Sequence, residues 1–152
     1  MKRDYPDRPF VGVGVVVLRG VPRGDEVLLV RRAKPPSQGH WSIPGGAQHV
    51  GETLAEAALR EVREETGLDV ELVEQIAVID SIRRDDAGAV AFHYTLIDFV
   101  ALWRGGEPVA GDDASEAIWA PIARIADYGM WDETERIIRL ARDRVAGIEG
   151  DE

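Results

Sequence analysis

The chain has 152 residues, 45% of them hydrophobic and 30% charged, the size and balance of one domain with a core of its own. Its formal charge of −10 repels the phosphates of long nucleic acids, which excludes a DNA or RNA polymer as partner; a small anionic substrate needs a metal or a local arginine cluster to reverse the field. With no cysteine, no apolar run near the roughly 18 residues that span a bilayer and no basic-then-apolar leader, a soluble cytoplasmic protein is expected, without disulfides, thiolate metal sites or a membrane partner.

Residues 1–9, MKRDYPDRP, are polar and broken by proline, and are expected to form a loose arm, as are 147–152 at the other end. FVGVGVVVLRG (10–20) and EVLLVRR (26–32) are β-rich runs joined by the turn-like VPRGD, which predicts two paired strands. Gly12 and Gly14 alternate along the first run, a spacing that favours tight packing over ligand contact. AKPPSQGHWSIPGG (33–46) is loop-like, with Pro35-Pro36 barring helix and a short extended piece at 41–43. A helix follows over 54–66: Thr53 and Glu56 make a capping box, and Gly67 supplies the stop. LDVELVEQIAVIDSIRR and AVAFHYTLIDFVALW flank the turn signal DDAG (85–88), which predicts a long hairpin. SEAIWAPI adds a short strand, and Asp132 with Glu135 caps a terminal helix carrying Ile137, Ile138, Ala141 and Val145 on one side. No repeat or second domain is visible, so 1–152 is expected to be a single α/β domain whose mixed sheet is covered on both faces.

Viewed down the 54–66 helix, Leu54, Ala55, Ala58, Leu59 and Val62 form one apolar arc. Glu65 lies between Leu54 and Ala58, with Glu61 and Glu64 on the edge of the arc. Acids at i, i+3 and i+4 repel by about 0.2–0.5 kcal/mol per pair, and a carboxylate at the edge of a core needs a partner or a metal because its desolvation is costly. Arg60 stands four residues from both Glu56 and Glu64 and can balance one acid; an exposed pair of that kind is worth little. With no His or Cys cluster to suit zinc, the remaining acids make a hard oxygen site suited to Mg²⁺ or Mn²⁺.

With its preceding loop the segment reads GAQHVGETLAEAALREVREETGL, from Gly46 to Leu68. It resembles the Nudix box of the Nudix hydrolases, matching it at Gly46, Glu52, Arg60, Glu61, Val62, Glu64, Glu65, Gly67 and Leu68. GHWSIPGG is similar to the family's usual approach to the box. The resemblance implies a Nudix-type α/β/α sandwich with a mixed β-sheet. It also implies Mg²⁺- (or Mn²⁺-) dependent hydrolysis of a nucleoside diphosphate linked to another moiety, by attack of water on a pyrophosphate phosphorus. Carried over by position, Glu61 and Glu65 are the main metal ligands, Glu64 a further ligand, the Gly45 carbonyl a backbone ligand and Arg60 the orienter of a glutamate. Glu52 holds the junction of loop and helix and assists the metal shell. The general base is either Glu61 or, outside the box, Glu116 in GDDASEAIW, with weaker claims for Asp112 and Asp113. Where the family often has a further Glu this chain has His49, which reads as a loop residue rather than a ligand.

Arg31 and Arg32, at the end of the second strand and running toward the box loop, are the candidates for phosphate contact, and His93 and Tyr94 read as core or cross-strand residues. For the substrate, DSIRRD carries neither the Tyr of the family's dinucleoside polyphosphate hydrolases nor the Pro of many ADP-ribose pyrophosphatases, and the NADH-type SQPWPFP does not occur. KPPSQGHWSIPGG together with GDDASEAIW resembles ADP-ribose pyrophosphatases, so ADP-ribose or a related nucleotide sugar is the expected substrate. A (d)NTP or an oxidised nucleotide is the alternative. A non-catalytic Nudix-like nucleotide-binding module is a third reading, but such modules usually lose box glutamates that are all present here. Discrimination falls to the KPPSQGHW, RRDDAG and GDDASE loops, with Trp41 or Trp119 available to stack on a base and a second copy in a homodimer able to supplement them.

Overall fold

The computed structural model describes residues 3–21, 25–34, 37–111 and 113–150, with backbone alone over 148–150. The centre of the expected first turn (22–24), Pro35-Pro36 and Asp112 lie outside the described residues. β1 (Phe10–Arg19) is buried from position 12 to position 18, as a valine-rich strand covered on both faces must be. It pairs antiparallel with β2 (Glu26–Arg32), while β2 carries β3 (Trp41–Ser42) and β7 (Ala114–Pro121). β4 (Gly45–Ala47) pairs with the start of β1, Gly14 opposite Gly45. The hairpin forms as the sequence predicts, β5 (Val70–Arg84) with β6 (Val90–Trp103), and β6 runs parallel to β1 with Gly14 opposite Asp98. The result is a seven-stranded mixed sheet with the path β3-β2-β1-β6-β5.

Alternation along β1 assigns its side chains to two cores. Val13, Val15 and Val17 pack with Leu28, Ile97 and Phe99 beneath Ala57, Ala58 and Val62 of α1 (Leu54–Thr66). Val16 and Leu18 face the other way, onto Ile137, Ile138, Ala141 and Val145 of α2 (Asp132–Gly150) and onto Ile122 and Ile125 of a 3-10 helix over Ile122–Tyr128. The sheet thus has α1 on one face and two helices on the other, the α/β/α sandwich expected. The 3-10 helix, a single short element, is not predicted by the sequence. Asp132 is the first helical residue of α2 rather than its cap, and the Trp131 carbonyl receives the N–H groups of Thr134 and Glu135. Near the N-terminus, Tyr5 is tied to the hairpin tip, its N–H donating to the Ala91 carbonyl at 2.8 Å and its hydroxyl to Asp85 at 3.0 Å.

Candidate active site

Helix α1 starts with the capping box its sequence spells. Thr53 Oγ1 accepts the Glu56 N–H at 3.1 Å, Glu56 Oε1 accepts the Thr53 N–H at 2.9 Å, and Gly67 ends the helix at φ 73°. Because the cap engages Glu56, Arg60 turns elsewhere. Its Nε and Nη2 donate in parallel to the two Glu52 oxygens, Nη1 donates to Glu61 at 2.8 Å and Glu64 at 3.0 Å, and Nη2 reaches the Ala47 carbonyl at 2.9 Å. Arg60 is therefore not an exposed partner of little value but the centre of a cluster, binding box loop, β4 and helix together. Its guanidinium, helped by the His49 N–H at 2.9 Å, holds the Glu52 carboxyl down at about 2.

The helical wheel puts Glu65 in the apolar arc and Glu61 on its edge, whereas in the structure Glu61 is the most buried of the three acids, at 8% exposure. The cause lies on β4. A Cβ on Gly46 would stand 2.5–2.7 Å from the Glu61 carboxyl, so the missing side chain makes the space the acid fills. Glu65 is half-buried beside it. Burial first, and the neighbouring Glu61 charge second, push the Glu65 carboxyl up to about 8; the Gly45 N–H and the Arg32 charge pull the other way. Glu64 is exposed apart from its contact with Arg60.

Among the described residues no three His, Cys, Asp or Glu side chains are gathered into a metal cage, since Arg60 draws Glu64 and one oxygen of Glu61 to itself. The donor set nevertheless suits a hard cation: it is all oxygen, Glu61 and Glu65 touch, and the Gly45 peptide lies against Glu65.

Glu65, Gly45 and Gly46 open onto a cleft of about 450 Å³ on the α2 face of the sheet. Arg31 and Arg32 line it, as do Trp41 and Tyr94, while Gly12 and Gly14 form its floor. Their spacing favours packing, and Gly12 does abut Leu96 and Tyr94, but both glycines also face the cleft. Arg83 donates to Ser37 at 2.7 Å, linking hairpin and loop over the rim. Glu116 stands opposite Arg31 on β7 and pairs with it at 3.8 Å; it does not line the cleft. Asp113 lines it and pairs with Lys34 at 3.1 Å. His93 faces Ile82 across the hairpin, as expected of a cross-strand residue. Trp119 packs on the α1 face against Trp103 with Arg19 over its ring, away from the cleft, so of the two tryptophans considered for base stacking only Trp41 is placed for it. Two further lining residues, Asp98 and Trp131, escaped the sequence reading because nothing in their spacing ties them to the box.

Fold and site together define an α/β/α sandwich with its clustered acids set on one helix. The chain belongs to the Nudix family: the model of the NUDIX domain matches residues 8–141. Members of that family typically hold Mg²⁺ or Mn²⁺ with the box. The ADP-ribose pyrophosphatase of Methanocaldococcus jannaschii is 37% identical over 117 residues, 76% of this chain and 67% of that protein. The 8-oxo-dGDP phosphatase NUDT18 of Mus musculus is 36% identical over 101 residues, which are 64% of this chain and 28% of that protein. Among solved structures, the NUDIX domain of Shewanella oneidensis NrtR, complexed with ADP ribose, has a TM-score of 0.76 at 24% identity, covering 92% of this chain and 90% of that one. It shares the fold.

Proposed function

We propose that the protein hydrolyses the diphosphate of a nucleoside diphosphate linked to another group, with ADP-ribose or a related nucleotide sugar as substrate. The observation that carries this reading is the Arg60 cluster packed against the Gly46, Ala47 and Glu65 that line the cleft, where Glu52, Glu61 and Glu64 share one guanidinium and Glu65 lies against Gly45. Glu61, Glu64, Glu65 and the Gly45 carbonyl would hold Mg²⁺ or Mn²⁺, which supplies charge neutralisation at the phosphate oxygens and a lowered pKa for a bound water. Arg60 keeps Glu61 and Glu64 oriented, and Glu52 fixes Arg60 in turn. Arg31 and Arg32 line the same cleft and would neutralise the diphosphate, a reading supported by the charge of Arg32 felt at Glu65. For the general base, the buried carboxyl of Glu61 has better support than Glu116, which is engaged by Arg31 outside the cleft.

The ADP-ribose assignment is supported by the 37% identity to the archaeal ADP-ribose pyrophosphatase. The identity to the mouse 8-oxo-dGDP phosphatase supports an oxidised nucleotide as second reading. A hydrolysis panel of ADP-ribose, dNTPs, 8-oxo-dGTP, 8-oxo-dGDP and diadenosine polyphosphates, with Mg²⁺ and with Mn²⁺, separates them. The expected result is AMP and ribose 5-phosphate from ADP-ribose with a higher kcat/KM than for any other member. A clear preference for an oxidised nucleotide overturns the substrate and keeps the site, whereas no turnover of any member overturns the function.

A further inference from the structure

The cleft contains a buried acid, apart from Glu65, for which the hydrolysis itself has no use. Asp98, on β6, is 6% exposed and points to the α2 face, opposite the face that carries α1. It sits beside Gly14 in the parallel pairing of β1 and β6, and a Cβ on Gly14 would overlap its Oδ1, so the glycine makes the space the carboxyl occupies. Among the described residues it has no hydrogen bond and no ion pair. The charged groups that face it come from α2, Glu133 and Arg136; burial first, then Glu133, push its carboxyl up to about 6, and Arg136 opposes them. Its carboxyl is almost wholly removed from bulk water and opens only into the cleft, a position that costs desolvation, and an apolar residue at this point of the strand, between Leu96 and Val100, would avoid the cost.

The surroundings indicate what the missing partner is. Trp41, Phe92, Tyr94 and Trp131 line the same cleft, presenting aromatic surface to a flat ring. An ionised carboxylate only accepts hydrogen bonds, so the group that meets it must bring N–H or O–H. A flat ring with N–H donors at its edge is a nucleobase. The register also fits: Gly45, Gly14 and Asp98 follow one another across β4, β1 and β6, which puts Asp98 ~10 Å from the Gly45 peptide. That separation leaves room for a ribose between a diphosphate at the box and a ring over the glycine floor.

We infer that Asp98 is a specificity-determining residue that accepts a hydrogen bond from an N–H donor on the edge of the substrate's purine base, with the glycine floor and aromatic lining of the cleft seating the ring. The inference rests on the proposed nucleotide substrate but not on the group at the far end of its diphosphate. Adenine offers its 6-amino group and guanine its N1–H and 2-amino groups, so both bring the required chemistry.

The test is equilibrium binding by calorimetry, with Mg²⁺ present, of AMP, GMP and purine riboside 5′-monophosphate, which lacks both amino groups and any ring N–H donor. Wild type should bind AMP or GMP about tenfold or more tightly than the purine analogue, the size of one hydrogen bond to a charged group. The tighter of the two names the base. In Asp98→Leu the preference should shrink to within about twofold, while the melting temperature stays level or rises because a buried unpaired charge is gone. Should Asp98→Leu not fold, Asp98→Asn, of matched shape, should still reduce the preference by about threefold or more. A wild type that does not discriminate, or a preference unchanged in the folded variant, overturns the role of Asp98. A residue serving only to anchor α2 would lower the melting temperature and leave the preference intact. Hydrolysis of ADP-ribose is measured separately: no cleavage with the binding preferences as expected refutes the substrate alone, and cleavage with flat preferences refutes Asp98 alone.

Discussion

The two faces of the sheet treat a buried acid in opposite ways. On the α1 side Glu61 is enclosed and answered, with Arg60 on one oxygen and Glu65 alongside, and Arg60 is itself pinned by Glu52. On the α2 side Asp98 opens only into the cleft and has no hydrogen bond among the described residues, the charge of Arg136 on α2 being the one opposite charge felt there. In both places a glycine on the neighbouring strand gives up its side chain to admit the carboxyl, Gly46 for Glu61 and Gly14 for Asp98. The difference separates an assembly that organises itself from a position completed by something outside the chain. Preorganised charge suits the reacting end of a substrate, where the same diphosphate is met every time. An acceptor left open suits the end that must be recognised.

The largest effect should come from removing an answered acid. Glu61→Gln should leave a folded protein whose kcat on the best panel substrate is down by about a hundredfold or more, as expected for loss of a metal ligand or base; a near-normal rate would make the cluster a relic. Gly46→Ala comes next. Its Cβ must push aside a carboxyl 2.5–2.7 Å away, which should cost about tenfold in kcat, together with about 1–3 kcal/mol of stability from overpacking, read from denaturant unfolding. If both are unchanged, the space beside Glu61 is not tight.

Arg60→Ala should be milder in rate, though not in stability. It releases three carboxylates at once, and about 2 kcal/mol is expected to be lost for a partly buried partner of this kind. Millimolar Mg²⁺ should raise the melting temperature of wild type by mass action, and raise that of Arg60→Ala by more, because the cation then takes over the neutralisation. Equal shifts in the two proteins would deny Arg60 that role.

The smallest effect on stability belongs to Asp98, and it has a sign. Its folded pKa of about 6 lies above the ordinary 3.8, so the native state holds the proton more tightly than the unfolded chain. The stability contributed by this group is therefore fully present below about pH 4 and is lost as pH rises through about 6. Asp98→Asn removes that fall and should be the more stable protein at pH 7–8 by about 1–2 kcal/mol, with the advantage vanishing near pH 4. This is less than the roughly 3 kcal/mol of the whole shift because an amide there is also unpaired. Greater stability for the aspartate at pH 8 would show that the charge is answered after all.

The same contrast explains what could be read from the sequence. The α1 cluster was legible because helical geometry places residues three and four apart side by side, so Arg60, Glu61, Glu64 and Glu65 announce their meeting in one dimension. The capping box and the hairpin are likewise local signals. What was missed is where β4 lies: Gly46 admits Glu61, so the acid on the edge of the wheel is the one most enclosed. The cleft was hardly legible at all. Its floor comes from β1, its acid from β6 more than eighty residues later and Trp131 from the approach to α2, and only the parallel pairing of β1 with β6 unites the first two. Glu116 and Trp119 show the converse: position just before or within a strand does not tell which face or which partner that strand will give them, here Arg31 and the Trp103 ring.

The division of labour between the faces is tested most directly by steady-state kinetics of wild type, Glu61→Gln and Asp98→Leu on ADP-ribose at one Mg²⁺ concentration. Glu61→Gln should lose kcat with KM held within about threefold, and Asp98→Leu should raise KM by about tenfold with kcat nearly kept. If both substitutions depress kcat alone, or if Asp98→Leu leaves KM unchanged, the two acids do not serve separate ends of the substrate.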